Sequence, residues 1–162
     1  MPLGDSITDG NGGYRVELWN SLVTSGKSVN FVGTLSSGPV ALPDRDHEGH
    51  SGWTISQISG SVESWLGVHR PHAILLQIGT NDMLQDQDLS NAPNRLSALI
   101  DRITAMVPTS TLFVASITRL TNPTFNQRVL AYNAAIPAIV DAKRAAGRNV
   151  HFVDMYPAVS DA

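Results

Sequence analysis

Residues 73–82 have the sequence AILLQIGTND, in which an almost unbroken apolar run ends at a glycine followed by polar residues. Such a continuous run is typical of a strand buried on both faces of a parallel sheet. Working outward, similar short stretches rich in apolar and β-branched residues occupy positions 1–4, 28–33, 111–117 and 149–154. Together with 73–79 they predict five strands.

Longer segments with helical spacing of apolar residues separate these strands, at positions 14–24, 54–66, 92–106 and 125–146. The alternation predicts an α/β fold: a three-layer α/β/α sandwich around a five-stranded parallel sheet, in the flavodoxin-like order 2-1-3-4-5. Pro137 lies inside the last segment and is expected to kink or loosen that helix. Residues 34–53 are rich in Gly, Ser, Pro, Asp and His, so we expect a long irregular loop there.

Size and charge exclude several classes of protein. A chain of 162 residues fits one domain. Its 11 basic and 14 acidic residues give a net charge of -3 without a block of like sign, so neither a nucleic acid nor a membrane surface is an expected partner. No apolar run approaches the roughly 20 residues that span a bilayer. The absence of cysteine excludes disulfides and thiolate metal sites.

Two polar motifs directly follow predicted strands. Residues 4–6 are GDS, and a serine at this point of a parallel sheet presents its hydroxyl at the sheet edge. The alternative is that Ser6 and its neighbours only cap a helix. Residues 79–82 are GTND, in which the side-chain amide of Asn81 can donate to a developing oxyanion. The alternative is an ordinary turn.

A third motif, GHSGW at residues 49–53, ends the long loop and opens the second helical segment. A backbone amide at the start of a helix is unpaired, so that of Gly52 can bind an anion. The alternative is a tight loop followed by a tryptophan of the core, and for Trp53 we favour the core over a sugar-stacking role. Since parallel strands deliver their carboxyl ends to one edge, the three motifs are expected to converge.

Taken together, the three motifs resemble the blocks of the SGNH, or GDSL-type, hydrolase superfamily. The resemblance implies a serine esterase in which Ser6 is the nucleophile, and in which the amides of Ser6 and Gly52 and the side chain of Asn81 form an oxyanion hole. It implies no cofactor and no metal. Residues 1–6 and 44–53 are most similar to carbohydrate esterases of the acetylxylan-esterase type. That likeness implies acetyl esters on carbohydrate as substrates and an extracellular location.

The chain departs from the superfamily at its fourth block, an Asp-x-x-His expected after the fifth strand. No histidine follows His151, and Asp161 cannot be given a role without one. We therefore expect a domain, residues 1–162, that is truncated at its C-terminus and slightly at its N-terminus, without a general base and almost inactive alone. A terminal helix is expected to be missing as well, which would leave an apolar sheet face open to self-association.

The five histidines differ in their access to the nucleophile. His69, His72 and His151 lie at the starts of strands, the wrong end of the sheet for catalysis. His47 and His50 lie in the long loop and are the only candidates to act as a base toward Ser6, although a role in a turn or in substrate contact is favoured.

Acidic residues alternate at Asp44, Asp46 and Glu48, as they do in some calcium loops. The full set of ligands for such a site is absent, so a solvated loop is favoured.

Three functions remain open. The leading one is hydrolysis of short acyl esters on carbohydrate. A second is another SGNH activity, such as that of a lysophospholipase or a thioesterase. The third is a catalytically inactive protein that binds carbohydrate.

Overall fold

A six-stranded sheet forms the centre of the computed structural model, which describes residues 1–158. The strands are β1 (Pro2–Gly4), β2 (Leu35–Ser36), β3 (Asp46–Gly49), β4 (Ala73–Gln77), β5 (Thr111–Ala115) and β6 (Val150–Val153). Their order is β2-β3-β1-β4-β5-β6. Five strands are parallel, and β2 pairs antiparallel with β3 at one edge, where Leu35 lies opposite His47.

Six α-helices surround the sheet: α1 (Ser6–Asp9), α2 (Gly13–Thr24), α3 (Ile55–His69), α4 (Thr80–Leu84), α5 (Ala92–Met106) and α6 (Pro123–Ala145). The structure also has short 3₁₀-helices at Gly10–Gly12, Leu89–Asn91 and Tyr156–Ala158. Helices α3, α5 and α6 bury apolar stripes in one core with the sheet, including Ile58, Leu99 and Ile136. This confirms the predicted α/β class. In the described residues, none of the helices is long and apolar enough to cross a membrane.

The second parallel strand is not where the sequence predicted it. Residues 28–33 are not a strand, and the place beside β1 is taken by β3, inside the stretch that was expected to be irregular. The backbone donors around the predicted strand are satisfied by carboxylates instead of a ladder. Phe31 N donates to Asp44 Oδ2 at 2.6 Å, and Thr34 N donates to Glu48 Oε2 at 2.7 Å. With β3 counted as the second parallel strand, the order 2-1-3-4-5 holds.

The four predicted helices are present, with ends shifted by at most three residues. Helix α6 continues through Pro137 without interruption. It begins at an asparagine cap, because Asn122 Oδ1 accepts hydrogen bonds from the amides of Thr124 and Phe125.

The opposite face of the sheet is only partly covered. Helix α2 lies beside it and leaves a groove of about 1000 Å³, lined by Leu18, Phe31, Leu75, Phe113 and Val153 among others. Val153 is 37% exposed. Since the side chains of one strand alternate between faces, Leu75 and Phe113 face this groove while Ile74 and Leu112 are buried in the other layer.

Candidate active site

Three neighbouring strands end together at the predicted site. Gly4, the last residue of β1, lies opposite Gly49 of β3 on one side and Gln77 of β4 on the other. The segments that continue from these strands carry Ser6, Gly52 and Asn81. The sheet therefore brings the three predicted site residues to one edge.

Ser6 is the first residue of the short helix α1 and is half-buried. Asp5 caps this helix, since its Oδ1 accepts a hydrogen bond from Ile7 N at 3.0 Å. The cap of this helix is thus Asp5 and not the adjacent Ser6. As the first helical residue, Ser6 has a backbone amide without a partner inside the helix.

Gly52 lies in a turn across residues 50–53, closed by a hydrogen bond from Trp53 N to His50 O at 3.1 Å. Its φ is +84°, which favours glycine, and a Cβ built there would meet nothing within 4 Å. Helix α3 begins only at Ile55, after the cap Thr54. Gly52 thus lies in the turn that leads into α3, two residues before the cap of the helix.

Asn81 is the second residue of α4 and is 8% exposed. Its Nδ2 donates to the carbonyl oxygen of Trp53 at 2.9 Å. A side-chain amide has two N–H groups, so this bond fixes its plane and leaves one donor for an oxyanion. This hydrogen bond joins the GTND motif at residues 79–82 directly to the GHSGW motif at residues 49–53.

Asp82, next to Asn81, is structural. It is fully buried, its Oδ2 accepts from Ile55 N at 2.9 Å, and its Oδ1 pairs with Arg95 Nη2 at 2.9 Å. The carboxylate thereby ties the start of α3 to α4 and α5.

Asp5 is also completely buried. Desolvation raises its pKa to about 6, the hydrogen bond from Ile7 N acts against this rise, and the nearby charge of Asp82 adds to it. The carboxyl group directly before Ser6 is therefore held toward its neutral form.

The ring nitrogens of His47 contact residues other than Ser6. It is fully buried, its Nδ1 accepts a hydrogen bond from Gly49 N at 3.0 Å, and its Nε2 lies 2.8 Å from Ser37 Oγ. Burial lowers the pKa of its imidazole, and the charge of Arg15 lowers it further. Both ring nitrogens are thus used in holding β3 and the adjacent loop.

His50 also has other partners. Its Nε2 lies 2.7 Å from Glu48 Oε1, and its ring stacks on those of Trp53 and Trp65. In the described part of the chain, neither loop histidine forms a hydrogen bond with Ser6.

The remaining histidines lie where the sequence predicted. His69 ends α3 and His72 directly precedes β4, while exposed His151 contacts Asn149. Asp161 lies outside the described residues.

The acidic trio is not a solvated cluster. Asp44 binds the backbone at Phe31, Asp46 is exposed at the start of β3, and Glu48 is fully buried. The expectation is wrong for Glu48 because its strand turns it inward. Among residues 1–158, no group of three His, Asp or Glu side chains is arranged to hold a metal ion.

Sequence reasoning missed two residues, Arg15 and Ser51, whose hydrogen bonds hold the segments around the site. The guanidinium of buried Arg15 donates to the carbonyl oxygens of Thr8 at 2.9 Å, Asp9 at 3.1 Å and Arg45 at 3.0 Å. Ser51 Oγ donates to Asp9 Oδ2 at 2.7 Å, and this bond holds the pKa of Asp9 below its usual range. Neither residue stands out in the sequence, since an arginine in an amphipathic helix normally faces solvent.

Comparison with known proteins agrees with this geometry. Residues 3–162 match the model of the GDSL-like lipase/acylhydrolase family. The chain belongs to this family. The predicted SGNH resemblance is thereby confirmed.

Three relatives of this GDSL-family chain are informative. A family 3 carbohydrate esterase from Clostridium thermocellum has a TM-score of 0.90 and 44% identity, over 99% of this chain and 79% of that one. A serine-to-alanine mutant of an acetyl esterase, with an acetate ion, has a TM-score of 0.84 and 27% identity, over 98% and 79%. A multidomain esterase of Ruminococcus flavefaciens is 31% identical over 98% of this chain and 24% of its own length. The chain spans less than half of the length of the curated relatives it matches.

Proposed function

We propose that the protein is a serine esterase that removes short acyl groups, above all acetyl groups, from carbohydrate such as acetylated xylan. The observation that carries the proposal is the placement of Ser6, Gly52 and Asn81 at the ends of three adjacent strands. Similarity to a family 3 carbohydrate esterase and to an acetyl esterase with acetate supports the acetyl group and the carbohydrate.

In the proposed reaction, Ser6 Oγ attacks the ester carbonyl carbon while its proton passes to a base. The negative charge on the carbonyl oxygen is stabilised by Ser6 N, Gly52 N and Asn81 Nδ2. The C–O bond then breaks, and the leaving alcohol takes the proton from the base. Water attacks the acyl-enzyme in the same way, which releases acetate and restores Ser6.

Ser6, Gly52 and Asn81 do not include the general base that the proposed reaction needs. Both loop histidines are engaged elsewhere, so we assign the role to a family Asp-x-x-His that would follow β6. The matching assay compares the 162-residue chain with an extended protein in which such a segment from a family member is placed after Ala162. We expect near-background turnover of p-nitrophenyl acetate by the first and clear turnover by the second.

Variants of the extended protein test the site residues. We expect Ser6→Ala to abolish turnover and Asn81→Ala to lower kcat about 10²- to 10³-fold, as for other oxyanion-hole donors. His72→Ala, exposed at the opposite end of the sheet, is the matched control and should retain the kcat of the parent. Turnover by Ser6→Ala at the parent rate would refute the serine mechanism.

The substrate is tested separately. Release of acetate from acetylated xylan is compared with hydrolysis of long-chain acyl esters and acyl thioesters by the same protein. A preference for long chains would assign the protein to the lysophospholipase or thioesterase type. Saturable binding of xylan without turnover, even in the extended protein, would favour a carbohydrate-binding role.

Partners and location follow as proposals. The substrate is a small-molecule or carbohydrate ester, and an extracellular location fits a polysaccharide substrate too large to enter a cell. The half-covered groove beside α2 supports self-association of the 162-residue chain. Size exclusion at micromolar concentration should give a dimer or larger species that Val153→Asp shifts toward monomer, and a clean monomer peak for the parent would refute this.

A further inference from the structure

We propose that His50 is a positioning residue of the oxyanion hole: its ring and its bond to Glu48 fix the turn that presents Gly52 and orients Asn81. The proposal rests on the proposed function, since an oxyanion hole has meaning only in acyl transfer. His50 touches no reacting atom in this account and acts through the turn.

The turn itself depends on its two end residues. His50 O accepts the hydrogen bond from Trp53 N that closes the turn, and Gly52 occupies the third position with φ +84°. A type II turn requires a positive φ at its third residue. The conformation of Gly52 therefore sets the direction of the peptide groups on either side of it. If either end moves, the Gly52 amide rotates with it.

Ring stacking holds both ends of the turn together. The His50 ring lies 4.3 Å from that of Trp53 at an interplanar angle of 23°, and 4.6 Å from that of Trp65 at 13°. Trp65 is 8% exposed and belongs to the core of α3. The turn is therefore attached through His50 to a rigid helix and not only to its own backbone.

A buried carboxylate fixes the plane and position of the His50 ring. Glu48 is fully buried, and its oxygens accept from Thr34 N and Thr34 Oγ1, each at 2.7 Å, as well as contacting His50 Nε2 at 2.7 Å. His50 Nε2 and Glu48 Oε1 are close enough for a hydrogen bond, whichever of the two atoms carries the proton. Since the same carboxyl group is also held by Thr34, this bond fixes where the His50 ring lies.

The anchored turn reaches the other two donors of the hole. Trp53 O accepts the bond from Asn81 Nδ2, and His50 N donates to Gly4 O at 2.9 Å, two residues before the nucleophile. A displacement at His50 would thus reach all three oxyanion donors at once. Misplacement of about 1 Å is enough to cost on the order of 10²-fold in rate.

The test uses the extended protein and two variants, His50→Ala and His50→Gln. The first removes the ring and its bond to Glu48, while the second keeps a donor for Glu48 and loses the stack. We expect each to lower kcat about 10- to 100-fold with KM within about two-fold, because the oxyanion exists only in the transition state. His72→Ala is the control and should match the parent. Circular dichroism checks that each variant is folded. If His50→Ala is not folded, the kcat of His50→Gln is used for the test.

A double-variant cycle with Asn81→Ala separates positioning from a merely structural role. If His50 acts through the hole, its loss should cost at least about three-fold less in kcat when Asn81 is already alanine. Additive losses, or a folded His50 variant with the parent kcat, would overturn the proposal while leaving the serine mechanism intact. Turnover that does not depend on Ser6 would overturn both.

Discussion

Residues 1–53 and residues 54–158 are stabilised in different ways. In the first region the elements are short except for α2, and its buried side chains include the polar or charged Asp5, Arg15, His47 and Glu48. In the second, long helices bury mainly aliphatic side chains against β4 to β6. The first region therefore depends on a few specific atoms, whereas the second depends on buried apolar area, which changes gradually with substitution. Ser6, the proposed nucleophile, and the turn with Gly52 both lie in the first region.

The largest effect is expected at Arg15. Arg15→Met keeps the length of the stem but leaves the carbonyl oxygens of Thr8, Asp9 and Arg45 without their donor. We expect a loss of about 4 kcal/mol in the free energy of unfolding, because each buried acceptor left without a donor costs about 1–3 kcal/mol. Urea denaturation measures it, with the half-exposed Arg102→Met as control. A loss below about 1 kcal/mol would contradict the inference that a few buried polar contacts stabilise residues 1–53.

A cavity in the second region should cost somewhat less. Leu99 is fully buried on α5, and Leu99→Ala should lower the free energy of unfolding by about 3 kcal/mol. Leu130→Ala, on α6 and 48% exposed, is the matched control and should change little. In the extended protein, we expect folded Leu99→Ala to keep the kcat of the parent and folded Arg15→Met to have a lower kcat. Equal losses of kcat in the two would show that the regions are not distinct in function.

These two regions also differ in how far the sequence predicts them. The helices of the second region and strands β4 to β6 were recognisable because apolar residues recur at helical or strand spacing. Strand β3 was missed because its sequence is Asp-His-Glu-Gly, and its buried residues His47 and Glu48 are polar. Periodicity measures hydrophobicity, so it cannot detect a strand whose inward side chains are held by hydrogen bonds.

The positions of the predicted site residues at one edge of the sheet could be predicted from the sequence, but the contacts that hold them there could not. Ser6, Gly52 and Asn81 could be named because each follows a strand or a glycine-rich turn. The contacts of Arg15, Glu48 and His50 join residues far apart in sequence, and their pattern has no local period. For this reason His50 was considered as a base, whereas its ring is stacked on Trp53.

A third, pH-dependent effect concerns Asp5. Its pKa is raised to about 6 in the folded protein, so the folded state binds more protons than the unfolded state between about pH 4 and pH 6. Stability should therefore fall as the pH rises through this interval. Asp5→Asn keeps the cap and removes the ionisation, so at pH 7.5 we expect a gain of up to about 3 kcal/mol and no such slope.

Melting temperatures between about pH 4 and pH 8 check this expectation. Asp141→Asn, with a side chain 74% exposed, is the control and should keep the slope of the parent. An unchanged slope in Asp5→Asn would mean that another group causes the dependence.

The smallest effect is expected for a surface pair of the second region. Lys143 Nζ lies 2.6 Å from Asp101 Oδ2, whose side chain is 54% exposed. Solvent screening limits such pairs, so a double-mutant cycle of Lys143→Ala and Asp101→Ala should give a coupling below about 1 kcal/mol. A coupling above about 2 kcal/mol would show that even an exposed ion pair contributes strongly to the stability of residues 54–158, against the expected dominance of apolar burial there.

Strand β2 has a consequence for the behaviour of the protein at high concentration. It is two residues long, both exposed, and it runs antiparallel at the margin of an otherwise parallel sheet. Long unpaired margins recruit strands of other molecules and seed edge-to-edge aggregation. Within the described residues, β2 covers part of β3 and offers too few backbone groups to template a foreign strand. The short antiparallel strand therefore limits the addition of further strands beside β3.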